Sequence, residues 1–533
     1  MALTASPAGR RWCAERGDGV AAEGTRVTSD ARIRHGGLRS RIMDADAAAA
    51  LIPPGANVGM SGFTGAGHAK AVPAALARRI RRARDAGVPF RVGVWTGAST
   101  AHELDGALAE VDGIDLRMPY QSDPVTRAHI NDGTMEYVDV HLSHVAQMVR
   151  EEFFGTLDVA VIEVSSITED GHLVMSSSVG NNVSWIERAD ALILEVNHWQ
   201  SSEWHGLHDL YLHSALPPNR RPLLITHAGD RIGESTMPCP IDKVIAVVET
   251  DEPDANTAPH APDAASVQIA GHLLDLYEHE IRIGRLPASL LPLQSGVGNV
   301  TNAALRGMLD AGWRGLTAYT EVIQESMLEL LDAGVLDVAS ASAMTLGPEA
   351  AARFNDEVGR YRGRIVLRPQ SISNHPEVVR RLGVLATNGM IEADIYGNVN
   401  STHLMGSRIM NGIGGSGDFA RNAFLSCFVS ASTAKGGTIS TIVPMVSHVD
   451  HTEHDVHVII TEQGVADLRG LPPRRRARVV IDNCAHPDFR AQLHDYLDRA
   501  TRGAYGMQTP HLLGEALSWH QRYVETGTMR QPR

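Results

Sequence analysis

From about residue 40 onward, short apolar runs alternate with longer stretches in which apolar residues recur at helical spacing. This alternation predicts an α/β architecture with mainly parallel strands, because each buried parallel strand needs a crossover, usually a helix, to bring the chain back. In the first half, strands are expected over 56–62, 91–96, 159–164, 191–196 and 222–226, with a helix over 74–86 after the glycine-rich turn Thr64-Gly-Ala-Gly-His-Ala-Lys. Residues 251–270 interrupt the pattern with Asp, Pro, Ala and Asn and read as a linker. A second α/β half follows, with strands expected over 315–320, 335–340, 364–367, 424–430 and 456–461.

The expected organisation is therefore a flexible extension over 1–35, an N-terminal domain over 36–250, the linker, and a C-terminal domain over 271–533. The two halves share a weak similarity. Val161-Ile-Glu-Val, leading to Glu169-Asp-Gly-His-Leu, has a counterpart in Met390-Ile-Glu-Ala-Asp-Ile-Tyr-Gly-Asn-Val, an apolar strand with an acid feeding a polar glycine turn. Duplication of one α/β unit is a reasonable expectation.

Composition narrows the class. With 43% hydrophobic and 21% charged residues in 533, the chain can bury two or three ordinary cores. A formal net charge of −14 argues against general nucleic-acid binding, though a local basic pocket for a phosphorylated ligand stays possible. The four cysteines, Cys13, Cys239, Cys427 and Cys484, are scattered and fit a reducing, cytoplasmic setting better than a disulfide framework. No run reaches the roughly 18 to 20 apolar residues of a membrane-spanning helix.

Chemistry concentrates in the second half. Glu321 closes the apolar run Thr317-Ala-Tyr-Thr, where desolvating a carboxylate is costly. It reads either as a first-turn acid complementing the dipole of a helix over 322–331, or as a carboxylate nucleophile facing glycine loops that stabilise an oxyanion. Gln294-Ser-Gly-Val-Gly-Asn-Val precedes a helical stretch over 301–310 and is an anion site or an ordinary strand-to-helix turn. Asn411-Gly-Ile-Gly-Gly-Ser-Gly places four glycines within residues 412–417 and invites close approach of something to the backbone, but matches no nucleotide-loop spacing. Lys435 is either a point charge for a phosphate or carboxylate, or a solvated loop lysine. His448, His451, His454 and His457 recur every three residues and suggest a metal, but the run passes into the extended Val456-His-Val-Ile-Ile, so a polar loop is expected and no metal.

The segments Ser61-Gly-Phe-Thr-Gly-Ala-Gly-His-Ala-Lys-Ala-Val-Pro, Gln294-Ser-Gly-Val-Gly-Asn-Val, Tyr319-Thr-Glu-Val-Ile-Gln-Glu, Glu392-Ala-Asp-Ile-Tyr-Gly-Asn-Val-Asn-Ser-Thr, Asn411-Gly-Ile-Gly-Gly-Ser-Gly-Asp-Phe-Ala-Arg-Asn and Thr461-Glu-Gln-Gly-Val-Ala-Asp-Leu-Arg-Gly-Leu occur in this order. On these, the chain from about residue 36 resembles the acetyl-CoA hydrolase/transferase family of class I CoA-transferases, and within it the succinyl-CoA:acetate CoA-transferase group. The resemblance implies two tandem open α/β domains with the active site in the cleft between them. It implies that Glu321 carries a covalent glutamyl-CoA thioester and that the N–H groups of Val297 and Gly415 form the oxyanion hole. It places coenzyme A against Gly296, Val297, Gly298, Asn299, Asn388, Asn411, Gly415 and Lys435. It also implies acyl-CoA and small carboxylates such as acetate and succinate as substrates, no permanently bound cofactor, and a homodimer. A thioesterase using the same glutamate is the alternative. For succinate, the sequence offers no clear cation to meet the second carboxylate.

Overall fold

The structure, a computed structural model, describes residues 32–212, 215–258 and 260–531. The extension expected over 1–35 lies outside these except for its last four residues. Those four are packed: Arg32 donates to the carbonyls of Ser165 and Gln200, and Ile33 is fully buried. The folded chain therefore starts before residue 36, because an apolar side chain and a multiply bonded guanidinium find partners there.

The first domain is built on seven strands: β1 (Asn57–Met60), β2 (Val92–Trp95), β3 (Ile114–Met118), β4 (Glu136–Tyr137), β5 (Val159–Val164), β6 (Ala191–Asn197) and β7 (Val244–Thr250). They lie in the order β7-β6-β5-β1-β2-β3-β4, and every neighbouring pair is parallel. All six residues of β5 are buried, as a central parallel strand covered on both faces requires. Two crossover helices matter for the site, α1 (Ala71–Asp85) and α2 (Leu142–Arg150).

After the long helix α3 (Ala264–Arg282), the second sheet uses β8 (Leu293–Ser295), β9 (Leu316–Tyr319), β10 (Leu336–Ala341), β11 (Ile365–Leu367), β12 (Leu385–Gly389), β13 (Leu425–Val429), β14 (Val458–Thr461) and β15 (Gly464–Asp467). Its order is β11-β10-β9-β8-β12-β13-β14-β15, parallel except for the terminal β14/β15 hairpin. Reversed and without β15, this is the strand order of the first sheet. Duplication is thus legible in topology. The two segments matched in the sequence are nevertheless not equivalent: Glu163 lies in β5, whose counterpart is β12, whereas Glu392 lies in a small ribbon beyond it. What they share is the hairpin turn that follows.

In each sheet the chain steps one way from its first strand and then crosses to that strand's other side. Reversals of this kind open a crevice at the carboxyl ends of the strands. They occur between β1 and β5 and between β8 and β12, and the loops leaving β1, β2, β3, β8, β9 and β12 all meet at the domain boundary.

Three expectations change. Residues 222–226 form no strand; Leu223 and Ile225 alternate inward, but they pack on Tyr319, Val338 and Val366 of the second domain, and Arg381 supplies donors to their carbonyls in place of a neighbouring strand. The expected linker over 251–270 is part helix, since α3 begins at Ala264, and the part before it is anchored: Asp254 accepts from Gly67 N–H and Lys70 Nζ, and Asn256 accepts from Gly65 N–H. Lys70 is itself buried between Glu163 and Asp254, so the first glycine turn and the linker share one ion-paired anchor. Third, Glu321 does not start a helix; a short strand, Val322–Gln324, pairs with Ala343–Thr345 before the helix Glu325–Asp332 begins.

Candidate active site

Glu321 sits just beyond the carboxyl end of β9, facing a cleft of about 930 Å³. That volume suits an extended ligand rather than a buried water. The first domain contributes Phe63 to Gly65, Ala98 to Glu103, Tyr120 and Ser122 to Pro124; the linker contributes Ala255 to Ala258; the second domain contributes the β8 and β12 ends and the loop at 411–416.

The carboxylate of Glu321 is half-buried. Its Oε2 accepts from Asn374 Nδ2 at 2.8 Å, and the backbone N–H of Gly415 adds a second donor. Burial raises its pKa to about 7, with those two donors pulling the other way. The site thus keeps a carboxylate poised near neutrality and points donors at its oxygen. Asn374 is steered in turn by Ser373 Oγ, which donates to its Oδ1 at 2.7 Å.

The loop after β8 is fixed from below. Thr301 Oγ1 donates to the carbonyls of Gly296 and Gly298, and Gln324 Nε2 donates to Gly296. Gly298 adopts φ 158°, and helix α4 (Asn299–Asp310) starts immediately after it. Gly296, Val297, Gly298, Asn299, Asn388, Asn411 and Gly415 all line the cleft with Glu321, with Val297 63% exposed to it. Asn388 Nδ2, Asn411 Oδ1 and Gln294 Oε1 are buried there without a hydrogen-bond partner. Such orphaned groups suit a polar ligand that would satisfy them.

The glycine density at 412–417 has a steric cause. A Cβ on Gly412 would come within 2.5 Å of Tyr137 Oη and 2.7 Å of Asp139 Oδ1; one on Gly415 would overlap Glu321 and Asn374; one on Gly417 would overlap the His141 ring. Only Gly414 needs glycine for its backbone as well, at φ 57°.

Lys435 is not among the residues lining the cleft. It sits at φ 50° in the turn between short strands Thr433–Ala434 and Ile439–Ser440, next to glycines that Arg530 also reaches. The histidine run does not converge. His451 is buried with Nε2 near Ser401 and Ser416, His457 accepts from Ser426 N–H, His448 stacks on His403, and His454 is exposed. Asn374, Tyr120, Asp139, Ser143 and Asp418 are the site residues that sequence reading missed. Asn374, Tyr120, Asp139 and Ser143 belong to none of the segments singled out in the sequence, and Asp418, though it lies in the Asn411 segment, gains its role only from Ser143, 275 positions away.

Comparison with known proteins adds independent information. Residues 28–252 match the acetyl-CoA hydrolase/transferase N-terminal domain and residues 351–497 the C-terminal domain of the same family. The chain is 46% identical to a succinyl-CoA:acetate CoA-transferase of Clostridium kluyveri over 502 residues, covering 94% of this chain and 92% of that protein. It is 43% identical to an acetyl-CoA hydrolase of Eremothecium gossypii over 517 residues, covering 94% and 98%. Among solved structures, RipA from Yersinia pestis superposes with a TM-score of 0.67 at 23% identity, covering 87% of this chain and 98% of that one, a likeness of fold.

Proposed function

The chain belongs to the acetyl-CoA hydrolase/transferase family and is an enzyme of CoA thioesters, and from that premise we propose that it transfers CoA between an acyl-CoA and a small carboxylate through a covalent thioester on Glu321. The observation that carries this reading is the half-buried Glu321 carboxylate lining the cleft, held by Asn374 and Gly415.

In this mechanism a Glu321 oxygen attacks the thioester carbonyl. The tetrahedral oxyanion takes hydrogen bonds from the Val297 and Gly415 N–H groups and collapses, expelling CoA thiolate and leaving an acyl-glutamyl anhydride. The thiolate attacks the Glu321 carbonyl, the acyl group departs as its carboxylate, and glutamyl-CoA remains. An acceptor carboxylate then attacks that carbonyl and the same steps run backwards, restoring the Glu321 carboxylate. Donor, acceptor and catalyst are all carboxylates, so each exchange is nearly balanced, and a serine or cysteine could not form the anhydride. CoA would lie along the β8 and β12 ends, where Asn388 and Asn411 offer unpaired polar atoms.

We read the substrate pair as succinyl-CoA and acetate, the pair named for the Clostridium kluyveri relative. Among the described residues lining the cleft there is no lysine or arginine, and His102 is committed to Asp123 at 3.0 Å. A second carboxylate would rest on neutral donors such as Ser99, Thr100 and Ser122. A cytoplasmic homodimer completes the proposal, on family resemblance.

Incubation with acetyl-CoA followed by borohydride should reduce a thioester at Glu321, detectable by peptide mass; modification at another residue overturns the reading. Relatives named acetyl-CoA hydrolase favour a second reading in which water intercepts glutamyl-CoA. CoA release as fast without an acceptor as with one would establish it.

A further inference from the structure

The loop that carries the Gly415 N–H belongs to the second domain, yet most of its backbone partners belong to the first. Asn131 Nδ2 donates to Ile409 O and its Oδ1 accepts from Ile409 N–H; Arg127 donates to Met410 O; Tyr137 Oη donates to Asn411 O. Both oxygens of Asp139 accept from Ile413 N–H, at 2.9 and 3.0 Å.

The next contacts run through the start of α2. The first N–H groups of a helix have no partner within it. Here Leu142 N–H donates to Gly414 O at 3.4 Å, and Ser143 donates to Asp418 through both N–H (3.0 Å) and Oγ (2.6 Å). Asp418 lies in the one-turn helix Ser416–Ala420 that follows Gly415. The two domains thus complete each other: the second domain satisfies the end of α2, and α2 with the segment before it fixes residues 409–418. The glycines record how tight the fit is, since Gly412 has no room for a side chain against Tyr137 and Asp139.

We propose that Asp139, seconded by Ser143, is a positioning residue that holds the 411–415 loop at the height where its Gly415 N–H meets Glu321. Its effect on catalysis rests on the Glu321 reading above; its effect on loop order does not. A carboxylate bonded to a single N–H by both oxygens restrains that peptide in two directions, and Gly415 is two residues further along. Misplacing an oxyanion donor by about 1 Å is enough to cost on the order of 100-fold in rate. The Asp139 side chain is itself exposed, so the grip rests on the two short hydrogen bonds to Ile413 N–H and on the lack of room at Gly412, not on burial.

The test compares wild type, Asp139→Ala, Asp139→Asn and Ser143→Ala by two readouts. Hydrogen exchange of amides 411–416 should speed at least tenfold in Asp139→Ala while the strands β8 to β14 keep their protection. In the same variant kcat for CoA exchange should fall roughly 10- to 100-fold with KM for acyl-CoA within threefold, and Asp139→Asn, which retains one acceptor, should recover part of it. Should Asp139→Ala fail to fold, Ser143→Ala, which deletes only one hydroxyl contact to Asp418, carries the same measurements with smaller effects. Unchanged exchange at 411–416 overturns the clamp. Faster exchange with unaltered kcat overturns its catalytic role. A wild type without CoA exchange or Glu321 modification would sink the functional reading while leaving the amide measurement to judge the clamp.

Discussion

Gly415 lies against Glu321 with no space for a methyl group between them: a Cβ at residue 415 would overlap Oε2 of Glu321 and reach its Cδ at 3.0 Å. The φ of Gly415 is −90°, which any residue adopts, so the demand for glycine is steric, not conformational. Gly415→Ala is therefore expected to leave the fold intact by circular dichroism and to lower kcat/KM at least 100-fold by displacing the donor from the reacting oxygen. Activity within threefold of wild type would show that the contact is dispensable.

Asn374 donates directly to the nucleophile and favours its charged form. Asn374→Ala should reduce kcat by about 100-fold and move the acidic limb of the pH–rate profile upward, because one of the two groups opposing desolvation is gone. A downward or absent shift counts against the assignment.

The wild-type profile itself follows from the environment of Glu321. Asn374, Gly415 N–H, the Tyr120 hydroxyl and the Asp418 carboxyl are the groups in range; Tyr120 is pushed up to about 12 and stays protonated, and Asp418 is raised to about 7 by burial, with Glu321 adding to the rise. Attack requires the carboxylate, so kcat/KM should rise with pH through about 7 and level off above it. The two acids interact, so the limb will report their joint titration. A flat profile between pH 5.5 and 8 would contradict the raised pKa of Glu321.

Stability should move opposite to activity. Glu321 has a folded pKa above its unfolded value, so its stabilising contribution is complete below the unfolded pKa and is lost as pH rises through about 7. Glu321→Gln removes that burden: it should abolish exchange yet gain about 2 kcal/mol of stability at pH 8, with the gain vanishing near pH 4. Denaturant unfolding of both proteins at the two pH values decides it.

Acceptor preference follows from the lining. With no lysine or arginine among the described cleft residues and an apolar patch of Phe63, Ala98, Tyr120 and Val322 beside Glu321, acetate and propionate should exceed succinate in kcat/KM as acceptors. Coupled assays at matched ionic strength measure this directly; succinate as the better acceptor would place an unrecognised cation in the acyl pocket.

The sequence by itself determined what is local or repeated in the chain. Continuous apolar runs placed β5, β6 and β13 to within about two residues, the break in pattern separated the halves, and Glu321 with its glycine loops stood out as chemistry in search of a partner. It misread 222–226, where strand-like alternation packs against another domain's sheet instead of pairing, and it placed Glu321 at a helix start because the intervening strand is only three residues long. Tertiary structure alone decided which polar groups meet: Asn374 on Glu321, Asp139 on Ile413 N–H, Ser143 on Asp418. Those contacts join residues separated by 53, 274 and 275 positions, and they form because two sheets with the same strand order press their carboxyl ends together. Periodicity encodes the burial of a strand's own face. It carries no record of which distant loop will satisfy a buried donor once that face is covered.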